Sequence, residues 1–243
     1  MSNPNSRNDR ELTILEHLAA LRDSLFFAFA AWLSCAIAAG IFAPRIFAFI
    51  TAPAKEIEGL LQGLDLTSGF SVAMDIAIWG GTALAFPFIV YAILRFVFPA
   101  LTKREKTILL AVLAAGSFLF LAGVSLAYAK TLPLVVKAFS GINSWVGLSV
   151  QTVRIEGYIS IALKTIIAFG FVFQMPLVLF VLGLFGIVSS AALREKRRLA
   201  IVVSFALSMF LTPPDPMSQI IMAVPLCLLY EASIWALWLK ERA

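Results

Sequence analysis

Two apolar runs near the C-terminus, residues 199–211 and 217–230, are joined by a turn that contains three prolines. The runs have 13 and 14 residues. At about 1.5 Å per residue each forms a helix of about 20 Å, whereas the hydrocarbon core of a bilayer is about 30 Å thick. Runs of this length are typical of buried helices in a soluble protein. In a membrane protein they predict a locally thinned bilayer, or helices that stop midway against protein or water.

The amino-acid composition favours the membrane. Hydrophobic residues make up 61% of the 243 residues, and the mean hydropathy is +0.95, whereas a soluble domain is about 45–50% apolar. We therefore interpret the chain as an integral membrane protein with little mass outside the bilayer. Residues 1–24 are polar and no A-x-A-like cleavage site follows the first apolar run, so we expect no cleavable signal peptide.

The few reactive side chains argue against cofactor chemistry. Cys35 and Cys227 lie within apolar segments, and the chain has one histidine. We therefore expect no disulfide framework, metal site, haem or other cofactor. The net charge of +5 comes mostly from loop Lys and Arg, which suits control of membrane topology better than nucleic-acid binding.

The apolar segments predict one all-α membrane domain over residues 1–243, with six transmembrane helices and no internal repeat. Their approximate bounds are 25–43, 71–98, 107–129, 158–182, 199–211 and 217–238. Pro44 is expected to end the first span. Pro87 predicts a kink in the second span, because proline has no backbone N–H.

Two long loops are predicted between these spans, over residues 44–71 and 130–157. The first is expected to contain a short helix at 55–61. In the second, Gly141, Asn143 and Gly147 are interpreted as turn formers.

The segment before the first span has a helical pattern from about Asp9. Its two faces differ, since Ile14, Leu18, Leu21 and Leu25 oppose a stripe of Glu16, Ala20 and Asp23. This pattern predicts a cytoplasmic amphipathic helix over residues 1–24 that lies along the interface and runs into the first span. A solvated helix leading into a membrane anchor is the alternative.

The basic residues predict the orientation. With the N-terminus in the cytoplasm, twelve Lys and Arg residues lie on the cytoplasmic side and five on the far side. Because short positively charged loops remain inside, both termini are predicted to be cytoplasmic.

Several polar residues lie where a membrane would exclude them. Gln174 stands beside Pro176 in the fourth span, where its amide could satisfy the Val172 carbonyl that Pro176 leaves without a donor. Alternatively, it marks a water-lined concave face. Gln219 lies in the first turn of a short helix and predicts a polar cluster that a partner helix could join. Glu231 is expected to be solvated at the interface.

Two acidic residues are candidates for binding an arginine-bearing peptide. Glu105 could pair with Lys103 or with the N-terminal dipole of the third span. Alternatively, Glu105 and Glu16 together could read two adjacent arginines, since guanidinium binds carboxylate with two parallel hydrogen bonds.

Four motifs resemble TatC, the core receptor family of the twin-arginine protein translocase. They are HLAALR (17–22), FPALTKRE (98–105), FGFVFQMP (169–176) and LTPPDPMSQ (211–219), in this order and spacing. The resemblance covers nearly the whole chain. It implies a concave, glove-shaped bundle with short fifth and sixth helices, in the cytoplasmic (inner) membrane of a bacterium.

The resemblance also implies a function without catalysis. Family members bind twin-arginine signal peptides of folded precursors and act with TatA-type and TatB-type single-span proteins, using the proton-motive force. Homo-oligomers are expected. Carried over by motif, the signal-peptide surface includes His17, Leu21, Arg22, Phe96, Lys103 and Glu105, to which we add Glu16. The surface for a partner helix includes Met209, Thr212 and Gln219. Pro53 and Asp215 also match family positions; a turn-forming Asp in the TPPDP turn is the simpler interpretation of Asp215.

The chain departs from the family at two positions. Ala20 and Gln174 stand where the family usually has Glu. The first departure, Ala20, removes one of the two carboxylates that would bind the two arginines. We hypothesise that Glu16 or Asp23, one turn away on the same face, replaces it. The second removes a titratable group from the fourth span, so Gln174 can dock a partner but cannot carry a proton.

The residues leave two other classes of membrane protein as alternatives. A small secondary transporter could use broken helices, but it normally shows internal repeats and charged coupling sites. A membrane-embedded enzyme needs a nucleophile with its base, or metal ligands, which this sequence does not suggest.

Overall fold

A computed structural model describes residues 5–54, 57–97, 103–149, 152–184, 186–211 and 216–242. Within these residues the chain forms α-helices joined by short turns, and one pair of two-residue strands. The helices are α1 (Asn5–Ile41), α2 (Ala43–Thr51), α3 (Ser68–Asp75), α4 (Gly81–Val97), α5 (Lys103–Leu126), α6 (Leu132–Val146), α7 (Ile155–Val172), α8 (Met175–Leu184), α9 (Ser190–Glu195), α10 (Arg197–Leu211) and α11 (Pro216–Arg242). The strands are β1 (Leu61–Gln62) and β2 (Val153–Arg154).

Five helical segments of the described chain are long and apolar enough to cross a membrane. They are Glu16–Ile41, Ser68–Phe96, Ala111–Val146, Ile155–Gly183 and Gln219–Arg242. These segments confirm an all-α membrane protein and match five of the six predicted spans. The remaining predicted span, 199–211, is α10, whose 15 residues extend about 22 Å. Six spans therefore remain a prediction.

The C-terminal pair of helices is unequal. α10 is as short as its apolar run predicted, but α11 has 27 residues and extends about 40 Å. The sixth helix is longer than expected because residues 231–242 contain no Gly or Pro that would end it. This extension is also packed, since Ile234 and Leu237 are fully buried.

The N-terminal segment is continuous with the first span. α1 runs through 37 residues without a break, so the polar turns before residue 25 are the start of the spanning helix. This differs from the expectation of a helix lying along the interface. Residues 5–39 contain neither Gly nor Pro, and sharp helix kinks almost always need such residues or a π-bulge.

Both predicted long loops contain helix. α2 fills residues that the sequence assigned to the first loop, and Pro44 lies in its first turn, where a missing N–H costs nothing. Residues 57–61 contain only a three-residue 3₁₀ turn, Glu58–Leu60, instead of the predicted helix over 55–61; residues 55 and 56 lie outside the described chain.

The third span is longer than predicted. It continues from α5 through a π-helical turn, Ala127–Thr131, into α6. Gly141 and Asn143 lie inside α6, so they are not turn formers. Gly147 is one, because it ends α6 with a φ of 82°, while the Leu148 N–H donates to the Asn143 carbonyl at 2.9 Å. This is a Schellman-type C-cap.

Glycines let neighbouring helices approach closely. A Cβ built on Gly81 would lie 2.5 Å from the Cα of Ala36, where α4 packs on α1. A Cβ on Gly123 would lie 2.6 Å from the Phe169 carbonyl oxygen, where α5 packs on α7. Phe86 and Phe120 stack between these pairs with centroids 4.0 Å apart. The four helices therefore form one packed group.

The two long connections are tied together at the end of the bundle opposite the start of α1. β1 pairs with β2 in parallel, and Arg154 forms an ion pair with Asp65 at 2.9 Å. Below the strands, the Tyr158 hydroxyl donates to the Ile50 carbonyl at 2.9 Å. The Ser68 hydroxyl donates to Glu156. These contacts hold the ends of α2, α3 and α7 in one layer.

Candidate functional site

The start of α1 and the end of α4 bring together two of the predicted site residues. The rings of His17 and Phe96 stack with their centroids 4.5 Å apart and an interplanar angle of 29°. These residues are 79 positions apart in the chain. His17 is exposed and Phe96 half-buried, so the stack forms part of the surface at this end of the bundle.

The acidic stripe of α1 borders the same surface. Glu16 is exposed and forms no ion pair among the side chains that the structure describes. Asp23 pairs with Arg22 at 2.8 Å, and about two thirds of both side chains is exposed. Of the two residues proposed to replace the acid missing at Ala20, Asp23 is paired, whereas Glu16 has no ion-pair partner among the described side chains.

An open apolar cavity of about 410 Å³ lies along the next turns of α1. Its lining residues are Leu18, Leu21, Arg22, Leu25, Phe26 and Phe29. Leu21 and Arg22 are predicted site residues, so the cavity extends the same surface towards the membrane-spanning part of α1.

The other basic and acidic candidates lie at the start of α5. The backbone places Lys103 and Glu105 in its first turn, where the helix dipole favours a carboxylate. Their side chains lie outside the described part of the structure. The pairing of Glu105 with Glu16 across one surface therefore stays a prediction.

Gln174 lies at a break in the fourth span. α7 ends at Val172 and α8 begins at Met175, and the Gln174 backbone N–H bonds to the Phe171 carbonyl at 2.9 Å. The Gly170 carbonyl thereby loses its usual partner. The Gln174 side-chain NH₂ donates to it at 3.3 Å and to the Gly116 carbonyl of α5 at 3.1 Å.

Gln174 therefore completes backbone hydrogen bonding, which is one of the two roles that the sequence left open. Within its own span, the carbonyl that it completes is that of Gly170, two residues before the expected Val172. The bond to Gly116 also joins α7 to α5, a role that the sequence did not indicate.

Gln219 joins the two C-terminal helices. Its side-chain NH₂ donates to the Phe205 carbonyl of α10 at 3.0 Å, and the side chain is half-buried. Met209, one turn further along α10, is 54% exposed. Thr212 and Asp215 lie outside the described residues. Pro53 is half-buried in a 3₁₀ turn, Ala52–Ala54.

The second half of α11 makes contacts with α9 and α10 that the sequence did not predict. Arg197 forms a two-bond ion pair with Glu231, at 2.7 and 2.8 Å. Glu231 is thus paired while 39% of its side chain stays exposed, and the sequence did not indicate this partner. The Tyr230 hydroxyl donates to the Leu193 carbonyl at 2.9 Å. Arg197 and Glu231 are 34 residues apart, so no helical spacing could have indicated the pair.

Comparisons with known proteins agree over almost the whole chain. A family model described as "TatC: Sec-independent protein translocase protein (TatC)" matches residues 16–225. The Sec-independent protein translocase protein TatC of Magnetococcus marinus is 34% identical over 230 residues, which cover 93% of this chain and 84% of that protein. The TatC protein of Aquifex aeolicus is 34% identical over 228 residues, covering 92% and 94%. A crystal structure of a twin-arginine translocase receptor TatC has a TM-score of 0.82 and 34% identity, covering 92% of this chain and 98% of that one.

Proposed function

Because this chain belongs to the TatC family of Sec-independent protein translocase proteins, we propose that it is the subunit that binds twin-arginine signal peptides. Membership makes it a membrane component of that translocase. In this proposal the chain lies in the inner membrane of a bacterium with both of its termini in the cytoplasm. It receives folded precursors at its cytoplasmic face. The role involves no bond chemistry.

The stacked pair of His17 and Phe96 is the observation that carries the proposal. It fixes the start of α1 against the end of α4 and leaves Glu16 exposed beside it. A guanidinium of the signal peptide would bind the Glu16 carboxylate, and Glu105 would offer a second acid from the first turn of α5. The apolar part of the peptide would continue along Leu21 and the cavity of α1.

The short α10 supports a second surface, for TatA-type and TatB-type helices. A helix of about 22 Å leaves part of a 30 Å hydrocarbon core uncovered. Among the described residues Gln219 uses one N–H, on Phe205, so its carbonyl oxygen and its second N–H would serve a neighbouring helix. Met209 is exposed beside it. Partner helices and further copies of the chain would fill this gap, and translocation would use the proton-motive force.

Co-purification with a precursor tests the signal-peptide surface. We expect the detergent-solubilised chain to retain a precursor with an intact twin-arginine motif and to lose its Lys-Lys version, since lysine cannot form the two-bond pair with carboxylate. Equal retention of both precursors would contradict the proposal.

Charge reversal at the acids locates that surface. Glu16→Lys and Glu105→Lys are expected to abolish export of a twin-arginine reporter. Asp23→Lys is the control that tests the other candidate acid. Asp23 lies on the same helix face but is already paired with Arg22, so its reversal should reduce export less. Normal export by both Glu variants, or equal loss in the control, would reject Glu16 as the replacement acid.

A further inference from the structure

The end of the bundle that contains α9 and the last turn of α11 is rich in basic side chains. All of these are exposed: Arg194, Lys196, Arg197, Arg198, Lys240 and Arg242. Three carboxylates lie in the same region, on Glu195, Glu231 and Glu241. The region therefore has a net positive charge at the end of α11.

Some of these charges already have partners. Arg197 is paired with Glu231, and the Lys240 ammonium donates to the Gly183 carbonyl at 3.0 Å. The Glu241 carboxylate accepts from the Ser190 N–H at 2.8 Å and from the Ser190 hydroxyl. By contrast, Arg194 and Arg242 form no ion pair within the described part of the chain.

Arg194 and Arg242 converge on one indole ring. Their guanidinium carbons lie 5.8 and 3.9 Å from the centroid of Trp238. Cation–π contacts of this kind hold a guanidinium in place while its N–H groups remain free to donate. The bonds that Ser190 donates to Glu241 and that Tyr230 donates to the Leu193 carbonyl hold α9 against α11. The two arginines are therefore brought together by packed helices.

We propose that Trp238, Arg194 and Arg242 form a binding site for the phosphate of an anionic phospholipid headgroup. Guanidinium groups bind phosphate with two parallel hydrogen bonds, and basic pockets at helix ends are typical sites for such headgroups. Tryptophan is enriched at the headgroup level of membranes.

The acyl chains have a surface beside the site. Trp235 and Leu239 of α11 are 56% and 60% exposed, and Leu199 of α10 is 58% exposed. Free inorganic phosphate could bind the same guanidinium groups, but it has no acyl chains and so would gain no affinity from these apolar side chains. The site is separate from the signal-peptide surface and does not depend on the proposed function or on which side of the membrane this end faces.

Lipid retention by the full chain in detergent tests the site. The chain is titrated with phosphatidylglycerol or phosphatidylcholine, and bound lipids are counted by native mass spectrometry. We expect tighter retention of phosphatidylglycerol. Arg194→Gln/Arg242→Gln is expected to weaken its binding by about 25-fold, since each basic residue at an anionic headgroup contributes roughly fivefold. Phosphatidylcholine binding should change little.

The matched control is Lys196→Gln/Arg198→Gln, which removes the same charge from the same segment without touching Trp238. It is expected to weaken binding severalfold less than the first double variant does, because it lowers the general positive potential without removing the guanidinium bonds to the phosphate. Equal losses in the two double variants would overturn the proposal in favour of a general basic surface. Equal retention of the two lipids by the wild-type chain would also overturn it.

Two further measurements complete the test. Millimolar inorganic phosphate is expected to leave phosphatidylglycerol bound, and complete displacement would show a free-phosphate site instead. Trp238→Leu is expected to lower binding severalfold and serves as the test if the glutamine pair fails to fold. Wild-type affinity in Trp238→Leu would overturn the proposal.

Discussion

Two glutamines in the membrane-spanning helices act on backbone carbonyls. Gln174 donates to Gly116 and Gly170, and Gln219 donates to Phe205. In a membrane no water replaces such donors, so an unpaired carbonyl costs more than it would at a wet surface. Each glutamine therefore has a structural role. Within the described residues, this role leaves the amide oxygen of Gln174, and the oxygen and one N–H of Gln219, for a partner.

The structural role of Gln174 can be measured. We expect Gln174→Leu to lower the free energy of unfolding by about 1–3 kcal/mol, because two carbonyls lose their donor and interhelical hydrogen bonds in membranes contribute about 0.6–1.7 kcal/mol each. Unfolding is followed by circular dichroism in mixed detergent micelles. Gln62→Leu, an exposed site in β1, is the control and should change stability by less than about 0.5 kcal/mol. Unchanged stability of Gln174→Leu would show that neither bond matters.

Export in the same variant addresses the second role proposed for Gln174. If the amide also docks a partner helix, Gln174→Leu should reduce export of a twin-arginine reporter more than its loss of stability explains. Normal export would leave Gln174 with a structural role alone.

At the scale of the helices, close packing depends on glycine. α1 and α4 meet where Gly81 lies against the backbone of Ala36. The atoms that block a larger residue there are main-chain atoms, which cannot rotate away as a side chain can. This contact lies in the same helix pair that places His17 against Phe96, so the packing of α1 on α4 supports the candidate site.

Adding one methyl group tests this helix contact. Gly81→Ala is expected to destabilise the fold by about 1–3 kcal/mol, because overpacking forces the two backbones apart. Gly141→Ala is the matched control, since a Cβ there meets nothing within 4 Å. It should stabilise by about 0.5–1 kcal/mol, as alanine does in place of helical glycine. Thermal unfolding in detergent measures both changes, and equal effects would contradict a tight α1–α4 contact.

Helix boundaries show what the sequence could predict. Hydropathy located the apolar spans, because their lengths and composition are set by the bilayer itself. It missed α6, since Gly141 and Asn143 suggest turns while a helix can contain both at a modest cost. Only Gly147, which adopts a left-handed conformation, ends that helix. The sequence also predicted the end of the last span too early, at residue 238. α11 continues to Arg242, because its last turns pack against α9.

The candidate site was predictable only in part. The resemblance placed His17 and Phe96 on one surface, and their rings stack in the structure. That this surface binds a signal peptide stays a prediction. Spacing within one helix could not predict contacts between helices, such as Arg197 with Glu231 or Gln174 with Gly116. Such pairs depend on how the helices are arranged, which a single sequence does not state.

At the scale of the whole molecule, the two ends of the bundle are held by different contacts. One end has the strand pair and the ion pair of Arg154 with Asp65. The other has the contacts of α11 with α9 and the stack of His17 on Phe96. The fourth span, Ile155–Gly183, connects these ends, so residues before and after it should face opposite sides of the membrane.

Cysteine labelling in intact cells tests that arrangement and the orientation together. Cys35 and Cys227 are first replaced by Ala, and a single cysteine is then introduced as Ser149→Cys or Ala191→Cys, both at exposed positions. The excess of basic residues on the side of α9 predicts that this side is cytoplasmic. A membrane-impermeant maleimide should therefore label the first variant in intact cells and the second only after lysis. Labelling of Ala191→Cys alone would reverse the orientation, and labelling of both from outside would mean that 155–183 does not cross the membrane.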